Sequence, residues 1–511
     1  MKKFRKTKPL QIFKEDSKKA DEPVMINLEK NINILKELFQ KCSDVVFRSL
    51  KVGGHHAYLL YIDGLVDTKD IEMNAVKQLL NVSEQEKITS KHIMENILSV
   101  NQVEDAGKLD DLVKRVLDGD TGLLIDGLEQ AFIISARGGS RRSVTEPETE
   151  TSIRGPREGF TESLRVNTAL VRQKIRSSKL KMVSMELGTE TQTAIAVIYL
   201  ENLAQPELVE EVLNRIGKID IDGVLESAYI EELIEDNPWS PFPQIQNTEK
   251  PDSVAANLLE GRVSILINGT PFALILPATF WQFLQASEDY YQRFHISIFL
   301  RWLRLMLIFL ALELPAFYIA TTTYHQEMIP TNLLYSIAAS REAIPFPAFV
   351  EAMIMEIAFE ALREAGLRLP KVIGQAVSIL GALVIGTAAV DAGIVSAPMV
   401  IIVSITGIAS FTIPRYHLSI SIRLLRFPLM FLASVFGMFG IVIGSIIILT
   451  HLCKLRSFGV PYFSPLAPLK MSEMKDVFIR APWWAMNKRP TQTVKGDVTR
   501  QKVNPVPKVK Q

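Results

Sequence analysis

The sequence predicts an α/β N-terminal region of two small subdomains followed by an α-helical polytopic membrane domain, and three observations lead there. Helical periodicity alternates with short β-rich runs through residues 24–300. From about residue 305 charged residues become scarce, and four stretches carry one or none of Asp, Glu, Lys and Arg. A mean hydropathy of +0.16 beside 22% charged residues is therefore an average over two unlike halves. The 511 residues allow about three domains at roughly 150 residues each.

In chain order, residues 1–23 (MKKFRKTKPLQIFKEDSKKADEP) form a basic, disordered tail without the apolar core of a signal peptide, so the next domain is expected in the cytoplasm. Subdomain one, 24–136, has a helix at Leu28 to Lys41 and strands at Val45 to Leu50, Ala57 to Ile62, Leu123 to Ile125 and Gln130 to Ser135. Gly53-Gly54 is a turn signal, and His55-His56 are expected in that turn. Residues 137–162, dense in Gly, Pro and alternating charge, read as a linker. Subdomain two, 163–300, has a helix at Ser163 to Ser177, strands at Lys181 to Glu186 and Thr193 to Leu200, and a helix opening at Pro206. A hairpin at Val263 to Ile267 and Phe272 to Leu276, joined through Asn268-Gly269, extends it. The two subdomains can be read as distant copies, although no short period repeats.

The membrane domain is expected over 301–453. Spans lie near 305–323, 372–390, 394–413 and 428–453; 346–362 carries Glu351, Glu356 and Glu360, so it either crosses facing a wet interior or lies at the interface. Arg293, Arg301 and Arg304 before the first span place the start inside. The segments 363–371 and 415–426, read as basic loops, then cannot all be reconciled with one crossing number, which stays between four and six. Residues 454–511 read as a peripheral C-terminal tail; Trp483-Trp484 with Lys488 and Arg489 suit lipid headgroups, and a solvated end suits 490–511 equally.

Net charge is +1 and the pI about 7.7, against a nucleic-acid partner drawn by a whole-protein positive field. Two distant cysteines, Cys42 and Cys453, exclude a disulfide framework and a cysteine-rich zinc site. Phosphate-loop, zinc-protease and serine-hydrolase signatures are missing, so no enzyme, cofactor or metal site is expected.

The candidate functional residues lie in the apolar half. Gly374, Ser378, Gly381, Ala388 and Ala392 fall within about 80° on a helical wheel, interrupted only by Ile385. That small-residue stripe either packs helices of one chain, the reading sequence alone favours, or brings identical subunits around a narrow pore. Glu356, Glu360 and Arg363 fall within about 60°; they form an interfacial Glu360–Arg363 pair or a ring of carboxylates at a pore mouth. Glu313, beside Pro315, is a partner for an arginine or part of an ion path.

Three segments carry a resemblance: EPETETSIRGPREGFTESLRVNTALVRQKI from Glu146, the long run TTTYHQEMIPTNLLYSIAASREAIPFPAFVEAMIMEIAFEALREAGLRLPKVIGQAVSILGALVIGTAAVDAGIVSAPMVIIVSITGIASF from Thr321, and PLAPLK from Pro465. They resemble the A subunits of spore germinant receptors of endospore-forming bacteria, a family that includes related stage V sporulation membrane proteins, over about residues 40–485. The resemblance implies a homo-oligomer, a pentamer in the family, that acts as a ligand-gated monovalent cation channel in the spore inner membrane. It also implies a transporter-like B subunit, to which nutrient binding mainly falls, and a lipoprotein C subunit. On this view the helix from Val372 and the 346–362 helix line the pore, and Glu356 and Glu360 attract cations. A stage V-type ion-release amplifier and a non-conducting scaffold remain as alternatives.

Overall fold

A computed structural model describes residues 22–83, 89–94, 103–138, 146–147, 149–369 and 386–501. In the first module α1 (Leu28–Leu38) opens at Asn27, whose side chain accepts from the Lys30 amide at 3.1 Å, an N-cap that satisfies one orphan donor. Strands β1 (Val45–Val52) and β2 (His55–Ile62) form a hairpin with Val52 opposite His55. Its two-residue turn is Gly53-Gly54, both at positive φ, the backbone a tight hairpin requires. The turn thus closes before His55, and His55 and His56 lie exposed in the strand instead of in the turn.

A helical stretch, α2 (68–80), follows, with a π turn at Glu72–Val76. Then come β3 (Val103–Ala106), α3 (Leu109–Leu117), β4 (Thr121–Ile125) and β5 (Ala131–Ile134) in an antiparallel sheet of order β1-β2-β4-β5-β3. Both faces of this sheet are covered. Leu60 and Leu124 meet α1 and α3, while their neighbours Leu59 and Leu123 meet Ile71, Val76 and Leu79 of α2. Successive strand residues point to opposite faces, so a doubly covered strand is apolar throughout.

The second module repeats this plan. Helix α4 (Leu164–Lys174) precedes the hairpin β6 (Leu180–Leu187) and β7 (Thr193–Leu200); α5 (Pro206–Ile216) and α6 (Ser227–Ile234) follow. Next are β8 (Gln246–Thr248), α7 (Pro251–Leu258) and the hairpin β9 (Val263–Ile267) and β10 (Ala273–Leu276). The sheet order, β6-β7-β9-β10-β8, is that of the first module shifted by five. The modules meet at Arg172 of α4, wholly buried, which donates to both carboxylate oxygens of Asp44 at 2.8 and 2.9 Å.

Beyond the modules lies a bundle of α8 (Phe294–Thr323), α9 (Thr331–Arg341), α10 (Ala348–Arg368), α11 (Ala397–Phe411), α12 (Tyr416–Phe436) and α13 (Met438–Lys454). Helices α8 and α12 are long and apolar enough to cross a membrane, and α11 and α13 are shorter apolar helices. Their directions follow from their end contacts. Helix α8 starts beside the modules, where Arg301 and Arg304 pair with Asp289, and ends where Tyr324 donates to the Ser434 carbonyl near the end of α12. Helix α12 therefore runs away from the modules as well. Helix α13 returns, and its His451 Nε2 lies 2.8 Å from Ser240 Oγ of the second module. Helices α10 and α11 also run toward the modules: Glu351 and Ser396 meet at the far end, Arg363 and Ser410 nearer the modules.

Three expectations change here. The stretch 428–453, read as one span, is divided by a turn at Gly437, φ +59, between α12 and α13, and Arg415 to Arg426 is no loop: Arg423 and Arg426 are helical. The C-terminal tail is no loose end up to residue 501. Val494 fills the core of the second module and bridges Ala204, and Arg500 pairs with Glu260. Span 372–390 lies outside the described residues except for 386–390, which is helical.

Candidate functional site

Polar residues in an apolar bundle cost free energy unless they find partners, so their pairing shows what the bundle is built around. Helix α10 presents Glu356 and Glu360 toward α12. Glu356 is fully buried and pairs with Arg426, whose Nε also donates to the Ala311 carbonyl of α8 at 2.7 Å. One turn on, Glu360 pairs with Arg423. Arg363 takes a different partner: it donates to Ser410 Oγ at 2.8 Å and lies 4.3 Å over the Phe411 ring and 5.1 Å over the Phe359 ring. These charges join α10, α11, α12 and the middle of α8 into one network.

The network answers the two sequence readings in particulars. Glu360 pairs with Arg423 of α12, not with Arg363 on its own helix. Glu356 is not presented as a free carboxylate, since Arg426 occupies it. Glu313 is hydrogen-bonded by Ser445 Oγ of α13 at 2.9 Å, a hydroxyl partner in place of an arginine. Ala388 is exposed in the short helix 386–391, whereas Gly374, Ser378, Gly381 and Ile385 lie outside the described residues. Sequence reasoning did not single out Glu351, which accepts from Arg341 at 3.1 Å and from the Ser396 amide at 2.9 Å. Its signal was available: three glutamates in one apolar helix imply three partners elsewhere.

The outside of the bundle has the opposite character. Phe299, Trp302 and Phe309 on α8, Leu424 and Phe431 on α12, and Phe439, Ile446 and Ile447 on α13 are each more than half exposed. The bundle is thus apolar on its outside as well as in its core, with a few charge pairs buried within.

The joint to the modules is built from three pieces. The linker supplies Glu150, which pairs with Arg415 at the start of α12 and accepts from Thr248 Oγ1 of β8 at 3.1 Å. The loop after α6 inserts Phe242 into the bundle core. The tail supplies Asp476, which accepts from Arg301 at 3.0 Å and from the Tyr290 hydroxyl at 2.8 Å. Burial pushes the Asp476 carboxyl above its ordinary range, with Arg301 opposing the shift. A cleft of about 420 Å³ beside this joint is lined by α7, Tyr290, Tyr291 and tail residues Trp483, Arg489 and Arg500. Arg489 and Arg500 there already bond the Leu259 carbonyl and Glu260.

Comparison with known proteins gives this arrangement relatives. The family model described as Bacillus/Clostridium GerA spore germination protein matches residues 33–492. The chain is 54% identical over 494 residues to the uncharacterized membrane protein YfkQ of Bacillus subtilis (strain 168), covering 96% of each. It is 48% identical to spore germination protein KA of the same organism, over 94% of this chain and 90% of that protein. Identity to that organism's stage V sporulation protein AF is 32%, over 86% and 88%. Among solved structures, the crystal structure of the N-terminal domain of the A subunit of the Bacillus megaterium spore germinant receptor GerK3 is 34% identical. It covers 51% of this chain and 98% of that one, at a TM-score of 0.41.

Proposed function

We infer the function from a family premise: this chain belongs to the Bacillus/Clostridium GerA spore germination proteins, an A-subunit family that acts in germination. On that premise it is the A subunit of a nutrient germinant receptor. The helical half sits in the spore inner membrane, with the modules and the docked tail in the cytoplasm. It works with a transporter-like B subunit and a lipoprotein C subunit, catalyses no covalent step, and forms a homo-oligomeric cation channel whose opening follows nutrient binding in a partner. Identity of 48% to a germination protein against 32% to a stage V protein favours the receptor branch.

The observation that carries the membrane half of this reading is the apolar exterior of the bundle. Water-facing helices turn apolar residues inward; here Phe299, Phe309, Phe431 and Phe439 face out, while Glu356 and Arg426 are buried against each other. Helix α8 leaves the modules and the tail after α13 rejoins them, which supports an even number of crossings. Arg301 and Arg304 at the start of α8 and Lys454 at the end of α13 then share the cytoplasmic side. The ion path is assigned to the 372–392 stripe. Glu356 and Glu360 hold α10 to α12 instead.

The test is potassium flux from liposomes holding the purified chain, with and without its B and C partners, beside a Gly381→Leu variant that obstructs close helix approach. Flux that needs nutrient and partners, and is lost in the variant, is the expected result. An intact oligomer with bound partners and no flux would overturn the channel and leave a signal-transmitting scaffold.

A further inference from the structure

We propose that the edge of the second module formed by α6 and the loop after it rests on the bilayer, with Trp239 and Leu233 seated among the lipid headgroups on the module side. The proposal rests on the membrane reading above and adds to it a lipid-binding surface outside the helical bundle.

Trp239 is 94% exposed and Leu233 more than half exposed, although the chain around them is held firmly. Ser240 Oγ lies 2.8 Å from His451 Nε2, the Phe242 ring stacks on His451 at a centroid distance of 6.0 Å, and the Pro241 carbonyl accepts from Ser421 Oγ of α12. On the other side, Gln244 Nε2 donates to the Asn237 carbonyl at 2.6 Å. The indole is therefore presented on a fixed loop, one residue from contact with the bundle.

Those contacts also set its depth. His451 stands in the last turn of α13; exposed Ile447 and Leu449 precede it and exposed Lys454 and Arg456 follow. That change from apolar to cationic surface marks the edge of the hydrocarbon, where tryptophan partitions best because its ring is apolar and its N–H wet. Trp302, in the third turn of α8, is exposed at the same end. Trp239 thus stands at the end of the bundle where the apolar exterior gives way to charge, and on the membrane reading lipid is what covers that exterior.

The charge of the segment is compatible with that seat. Asp236 is neutralised by Arg215 at 2.6 Å, and burial raises Glu231 to about 8 and Glu235 to about 7, so much of the nominal negative charge is absent near neutral pH.

Three full-length variants reconstituted in phosphatidylethanolamine–phosphatidylglycerol liposomes test this. All carry Trp483→Phe and Trp484→Phe; one adds Trp302→Phe, one adds Trp239→Phe, and one adds both, leaving buried Trp281 as background. Lipids brominated near the carbonyl or near the bilayer centre quench an indole according to its depth. The expected result is loss of about half or more of the Trp239 emission with shallow bromine and a smaller loss with deep bromine. Unquenched Trp239 emission beside quenched Trp302 would overturn the proposal while leaving the membrane reading intact, and a blue-shifted but unquenched Trp239 would do so by assigning the surface to protein. If Trp302 is also unquenched, the membrane reading fails and this proposal with it.

Discussion

Replacing Arg426 with Leu removes one half of a pair in which the side chains are 1% and 0% exposed. The carboxylate of Glu356 is left among apolar neighbours, and the Ala311 carbonyl loses the donor that reached it at 2.7 Å. Breaking a buried ion pair from one side costs about 3–5 kcal/mol. On the scale of roughly 2–4 °C per kcal/mol for a unit of this size, the thermal midpoint should fall by roughly 6–20 °C. Glu356→Leu alone should cost a similar amount, because it strands the guanidinium. The double variant should recover most of the loss, since two leucines desolvate cheaply and pack against the apolar face of α8, giving a coupling energy of about 2 kcal/mol or more. The assay is the heat-resistant monodisperse fraction of the detergent-solubilised full chain, measured for the wild type, both single variants and the double. Single variants within about 2 °C of the wild type on that scale, or a double variant no better than the sum of the singles, would refute the pairing. A practical corollary is that Glu356→Gln tests stability before it tests ion passage.

Arg172→Leu should destabilise the joint between the modules by about 3–5 kcal/mol, read as a fall in the denaturant midpoint of the N-terminal transition, because Asp44 would stay buried without its bidentate donor. Gly407→Leu should cost about 1–3 kcal/mol or more, since even a Cβ at that position would come within 3.0 Å of Phe359 ring carbons across the α10–α11 contact; a thermal midpoint equal to the wild type would show that the two helices can separate freely. Glu231 and Glu235 are raised by burial to about 8 and about 7, so the folded module holds protons that the unfolded chain releases near 4.5. Their stability contribution is full below about 4.5 and is lost as pH rises to about 8, with a slope of up to about 1.4 kcal/mol per pH unit for each group. Glu231→Gln should flatten that slope in pH-dependent unfolding, and an unchanged slope would place the titration elsewhere.

The modules were largely readable from sequence because their signals are local. Val45–Val52 and His55–Ile62 are apolar or β-branched runs around a Gly-Gly turn, and Pro206 opens its helix at the position where proline fits. The bundle was harder because hydropathy scores each charge as though it stood alone. Arg423 and Arg426 made 415–426 look like a loop, yet their partners are Glu360 and Glu356, 63 and 70 residues away. With those charges neutralised, the helix runs straight through them, and the break falls at Gly437, where no charge marks it. The tail was misread for a related reason: Val494 and Gln492 dock through a few backbone and side-chain bonds that leave no periodic trace. The candidate carboxylates were found, but their partners, which decide their role, were not visible from spacing.

The docking of Val494 has a consequence for how the protein is made. Gln492, beside it in sequence, bonds to Gln205, 287 residues earlier. At ribosomal speeds of about 5–20 residues per second, the second module, whose last strand ends at Leu276, waits roughly 10–45 s for the piece that completes its core. The whole helical half must be synthesised before that piece emerges. A chain that stalls or is cut short in the bundle therefore carries an open apolar slot between Ala204 and Leu258, a visible mark by which proteases can distinguish unfinished copies from finished ones.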